Sequence, residues 1–171
     1  MSSHRDAHRW FVAAAAVGLA HALPSLYWAL GGTALVSTIG AWAADWQRQA
    51  PVQVMVLLLM IFVLKLAGAL LPLANERGRL PAPRLWRGLF WGAAGVLVAY
   101  GAVNVVAALA ALTGVVDGGP TMDTAALMGH ALLWDPLFLL WGLLLGRGLW
   151  MGRYERTSRA RAMGDRVASA A

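Results

Sequence analysis

The sequence predicts an all-α integral membrane protein: a four-transmembrane-helix antiparallel bundle with a short amphipathic helix in the first outer loop. Three observations predict it. Hydrophobic residues make up 60% of the 171-residue chain and charged residues only 13%, too little charge to cover a soluble domain of this size. The apolar residues gather in four runs, approximately 10–30, 52–73, 88–113 and 126–150, each matching the roughly 20 residues that a helix needs to cross a bilayer. The basic residues alternate from one connection to the next.

That alternation sets an orientation. Arg5 and Arg9 precede the first run, and Arg48 stands alone in 31–51. Arg77, Arg79, Arg84 and Arg87 crowd 74–87, while 114–125 has no basic residue but carries Asp117 and Asp123. Arg147, Arg153, Arg156, Arg159, Arg161 and Arg166 follow or close the last run. The positive-inside rule then puts both termini and the middle connection in the cytoplasm, in a plasma (inner) membrane. Short connections make neighbouring helices antiparallel. The chain reads as a cytoplasmic N-tail (1–9), one four-span membrane domain (10–150) and a basic cytoplasmic C-tail (151–171).

The first run has a rival reading as a signal peptide, because MSSHRDAHR is basic and Ala20-His21-Ala22 resembles a cleavage site. The apolar stretch continues through SLYWAL, which favours a retained span. In the outer loop TALVSTIGAWAADWQ, Leu35, Ile39, Trp42 and Trp46 recur at helical spacing. A helix over 33–47 follows, lying in the interface or folded over the bundle mouth as a cap. Gly31-Gly32 would end the first span and Pro51 start the second. Trp10, Trp86, Trp91 and Trp150 fall near the inner boundary, and Trp28, Trp42 and Trp46 near the outer one.

Composition excludes several chemistries. With no cysteine, disulfides, thiolate nucleophiles and thiolate metal sites are absent. The net charge of +6 sits in flanks of a greasy chain, which suits anionic headgroups at the cytoplasmic face and not nucleic acid. The sequence has no HExxH, GxSxG or P-loop, so a membrane-embedded enzyme has little support.

Ionisable residues inside spans are costly and need a partner or a purpose. His21, Lys65, Tyr100, Asn104, His130 and Asp135 are the candidates for ligand binding or proton relay. His21, Asn104 and Asp135 each lie nine residues from the outer end of their span, about 14 Å deep by the helical rise. Lys65 lies thirteen residues in and can reach outward. In span 1, Ala14, Gly18, His21, Ser25 and Trp28 share a side. In span 3, Tyr100, Asn104, Ala107, Ala108 and Ala111 do. In span 4, Asp135 shares its side with Ala131, Phe138, Gly142 and Gly146. Lys65 lies beside Gly68 and Ala69.

Lys65 and Asp135 have three readings: a neutralising pair that fixes register, members of a functional pocket, or a snorkelling lysine beside a protonated acid. Pro136 leaves the carbonyl of Leu132 free and opens the helix beside Asp135. Neither a cofactor nor a metal is expected. His21 and His130 differ in depth by about 7.5 Å, unsuited to bis-His haem, and the i,i+5 spacing of His130 and Asp135 puts them on different faces. Tyr27 and Trp28 read as interface anchors.

The stretches LPSLYWALGG (23–32), VLKLAGALLPLA (63–74) and GHALLWDPLFLLWG (129–142) resemble the bacterial membrane proteins grouped as domain of unknown function 3995. The resemblance covers about 10–150 and implies the fold, the membrane location and a shared pattern of Tyr27, Trp28, Gly31, Gly32, Trp134, Asp135 and Pro136. It carries no activity. Many members have a His two places before the tyrosine of that pattern; here Ser25 stands there, and His21 lies one turn earlier. Two functions compete: a small-ligand or ion-handling protein built on the polar layer, and a non-catalytic accessory subunit in which Lys65 and Asp135 are structural. Small-residue faces allow a homodimer or a membrane protein partner.

Overall fold

The computed structural model describes the backbone of residues 2–117 and 122–168, with side chains over 6–117 and 122–153. Among the described residues four helices are long and apolar enough to cross a membrane, with spans at Asp6–Ala29, Pro51–Glu76, Pro83–Leu112 and Thr124–Arg153. They belong to α1 (Ser2–Ala29), α3 (Pro51–Glu76), α4 (Pro83–Leu112) and a composite fourth span. That span joins α5 (Thr124–Gly129), a π-helical turn (His130–Trp134) and α6 (Asp135–Ala168). Among the described residues there is no strand.

Sequence punctuation places the ends. Gly31, at φ 90, closes α1 in the left-handed conformation that glycine adopts without strain. The amides of Gly31 and Gly32 bond back to the carbonyls of Trp28 and Tyr27, the pairing of a Schellman cap. Pro51 opens α3 as expected. Pro83 opens α4 five residues before the expected start of 88, because proline at the first helical position costs no hydrogen bond.

The inner pair is α1 and α6. Helix α3 flanks α1, α4 flanks α6, and α3 and α4 meet only slightly. The five span 1 residues expected on one side (Ala14, Gly18, His21, Ser25, Trp28) are all buried. One core gathers Phe11, Ala14, Ala69, Phe90, Ala94, Trp141, Leu145 and Leu149. Small residues set its spacing: Trp141 fills the notch at Gly18, and α4 crosses α6 so closely that a Cβ on Gly101 would stand 2.7 Å from the Asp135 carbonyl oxygen. The arginine-rich end is tied by His8 Nδ1 and Glu76 Oε2 at 3.1 Å, and by Arg147 over the Trp10 ring. The side chains of Arg156, Arg159, Arg161 and Arg166 lie outside the described residues, and with them the expected lipid contact of the C-tail.

The loop after α1 differs from the expected 33–47 helix. It forms a 3-10 turn (Val36–Thr38) and then α2 (Ala41–Gln49), broken at Gly40 with φ 145. Helical spacing across Gly40 therefore does not hold. Leu35 turns outward at φ 61, and Val36 is buried instead. This segment caps one end of the bundle, with Val36 in one cluster with Trp28 and Trp134.

Candidate functional site

At the α2 end, a cavity of about 130 Å3 lies over the α1–α6 pair, reached by Lys65 of α3 and Tyr100 of α4. His21, His130 and Asp135 also line it, with Phe138 and Trp134. Every spanning helix sends a polar group there. Phe138 is the common surface: the His21 ring centroid stands 3.9 Å from it, the Tyr100 ring 5.4 Å, and Lys65 Nζ 5.8 Å.

Five of the six candidate polar residues are thus brought together. Asn104 is not. Its side-chain amide donates to the Tyr100 carbonyl of its own helix at 2.9 Å. The buried line of α4 runs through Phe90, Ala94, Gly101 and Ala108; Tyr100 and Asn104 share a side next to it, and Asn104, one turn further along, does not line the cavity.

Lys65 and Asp135 do not pair with each other. Lys65 Nζ donates to Ser25 Oγ at 3.0 Å and approaches the His21 carbonyl at 3.5 Å. Asp135, 1% exposed, takes His130 as its partner, with Nδ1 and Oδ2 2.9 Å apart. In an α-helix, residues five apart point about 140° away from each other, which is why the sequence put these two on different faces. The π-helical turn overturns that. Proline 136 has no amide to give to Leu132, and the Asp135 amide bonds instead to the His130 carbonyl, five residues back. The widened turn swings His130 over Asp135. Its Nε2 then faces the Ile39 carbonyl at 3.4 Å.

His21 is 4% exposed, and neither ring nitrogen makes a hydrogen bond of ordinary geometry. A buried polar group without a partner is disfavoured unless something else satisfies it.

The family-type residues hold the roof. Trp28 Nε1 donates to the Ala34 carbonyl at 2.8 Å and Trp134 Nε1 to Thr38 Oγ1 at 3.0 Å, and the two indoles meet edge to face. Trp28 is therefore a buried strut and not the interface anchor expected of it; Tyr27 keeps a half-exposed ring packed on Gly32. Asp123, outside the span, accepts from the Ala126 amide at 3.0 Å and from the Ala41 amide at 2.9 Å. These two bonds hold its carboxyl below the ordinary value. Ser25, Thr38 and Phe138 were not singled out as site residues by sequence, although Ser25 shares the face of His21 and Phe138 that of Asp135.

Fold and cavity together define a small multi-pass helical membrane protein with a polar chamber inside the bundle. The chain belongs to the family described as protein of unknown function (DUF3995), whose model matches residues 18–145. No curated protein and no solved structure matches it.

Proposed function

We propose that this protein binds a small molecule in the chamber formed by His21, Lys65, Tyr100, His130 and Asp135, within the plasma (inner) membrane, with both termini cytoplasmic and the α2 cap facing outward. The observation that carries this reading is the convergence of polar groups from all four spans on one cavity in which His21 keeps two unpartnered nitrogens. Polar side chains at such depth are expensive and mark sites for substrates, ions or protons. The hydrogen-bonded His130–Asp135 pair supplies a proton-exchanging group at the wall, and Lys65 supplies a donor opposite it. The arginine-rich end suits anionic headgroups.

The accessory-subunit reading took Lys65 and Asp135 as a structural pair and the small-residue faces and the 33–47 segment as docking surfaces for a partner. Each has another partner, which removes the pair from that reading and leaves the polar chamber better supported. Native mass spectrometry of the protein from mild detergent, wild type beside Asp135→Asn, tests the proposal. A small molecule retained by the wild type, and held with a changed affinity by the variant, is expected. A wild-type protein that carries nothing, or a variant that holds the same molecule equally well, overturns it.

A further inference from the structure

A second cavity, of about 180 Å3, abuts the first; Trp28, Ile39 and Lys65 line both. Its character is different. Trp42 and Trp46 of α2 roof it, and Leu57, Leu58 and Ile61 of α3 wall it. Lys65 and Ser25 are its deepest polar groups, one turn beyond Ile61.

Lys65 sits at the seam with its charge unbalanced. Its partners are a hydroxyl and a carbonyl, and no carboxylate lies within ion-pair distance of it among the described residues. Asp135 is occupied by His130. A cation this far inside a low-dielectric region is stabilised by an anion of good geometry, and His21 lies beside it with an N–H to offer.

We propose that the two cavities form one site for a lipophilic organic carboxylate, its carboxylate held by Lys65 and His21 and its apolar body lying beneath Trp42 and Trp46. This rests on the ligand-binding reading above and names the class of ligand. The direction of the site separates such a molecule from a bilayer lipid. A lipid keeps its charge at the interface and its tails at depth. Here the cationic group is deep and the apolar chamber lies toward the α2 end, so a small free acid fits and a phospholipid does not. Apolar contact gains little over lipid tails inside a membrane; affinity comes from the carboxylate, and the apolar chamber selects the body that accompanies it.

The test uses the full chain in mild detergent, titrated with octanoate, octanol and octylammonium, with thermal stabilisation and native mass spectrometry as readouts. Wild type is expected to bind octanoate at least tenfold more tightly than octanol, and octylammonium least. Lys65→Met, matched in length without the charge, is expected to erase the preference. Ile61→Trp, which fills the apolar chamber, is expected to weaken octanoate tenfold while leaving acetate binding unchanged. Equal binding of octanoate and octanol overturns the inference, and the wild-type comparison decides this even where a variant fails to fold. A phospholipid adduct lost on Lys65→Met also overturns it, in favour of a lipid. If wild type retains a co-purified polar molecule but shows no octanoate preference, the inference fails and the ligand-binding reading stands. If it retains neither, both fail.

Discussion

His130 and Asp135 stand five residues apart in one membrane span, and yet their side chains lie 2.9 Å from each other. The cause is the next residue. Pro136 withholds an amide, the turn widens so that Asp135 reaches back to the His130 carbonyl, and the ring comes round over the carboxylate. A backbone defect thereby builds an acid–base pair whose acid is buried and whose imidazole is partly exposed.

His130→Ala leaves the Asp135 carboxylate buried with no side-chain partner. Loss of roughly 2 kcal/mol of unfolding stability is expected, the cost of an unsatisfied buried polar group. Asp135→Asn is expected to cost less, because the amide oxygen still accepts from the ring. Reversible unfolding in detergent orders the two; equal stability of His130→Ala and wild type would show that the pair does not hold the turn.

His21→Phe should behave in the opposite sense. The imidazole buries two unpartnered nitrogens against Phe138, and a phenyl ring removes that desolvation cost while keeping the ring contact. We expect a gain of about 1 kcal/mol together with loss of the small-molecule adduct. Retention of the adduct would count against His21 as a ligand-contacting group.

The spans were legible because a run of about 20 apolar residues has few other uses, and the positions of Gly31 and Pro51 were legible because their backbone constraints are local. The inward face of span 1 followed from regular 3.6-residue spacing. The same spacing failed where the backbone left the α-helix. It split His130 from Asp135 because it could not anticipate the π turn, although Pro136 was the signal. It joined Leu35 to Trp46 across Gly40, where the chain turns at φ 145. Charge and depth allowed Lys65 and Asp135 to pair as one of three readings, whereas the nearer acceptor is a hydroxyl on the neighbouring helix. Asn104 shares the side of Tyr100 but lies one turn further along α4, and its amide turns back to the Tyr100 carbonyl.

The α4–α6 crossing depends on a missing side chain. A Cβ on Gly101 would meet the Asp135 carbonyl oxygen and the backbone of Leu139, neither of which can rotate away. Gly101→Ala is expected to destabilise by roughly 1–3 kcal/mol, as overpacking does, and to perturb the chamber. Gly95→Ala, on the open side of the same helix, is the control, expected to be neutral or to stabilise by about 0.5–1 kcal/mol through helix propensity. Equal effects of the two would mean that the helices cross with room to spare.

The α2 cap should release in acid. Asp123 accepts from the amides of Ala126 and Ala41, and those bonds hold its carboxyl below the ordinary 3.8. A lowered carboxyl stabilises the docked cap above the ordinary value, and that contribution is lost as the pH falls through the folded one. Trp42 and Trp46 report on the cap. Their emission is expected to be constant from neutral pH to about 4 and to change below it. Asp123→Ala is expected to show the acid-type emission already at neutral pH, with no further transition. Wild-type emission that persists unchanged into strong acid would mean that the cap is held by Trp134, Thr38 and its apolar contacts, with Asp123 contributing nothing.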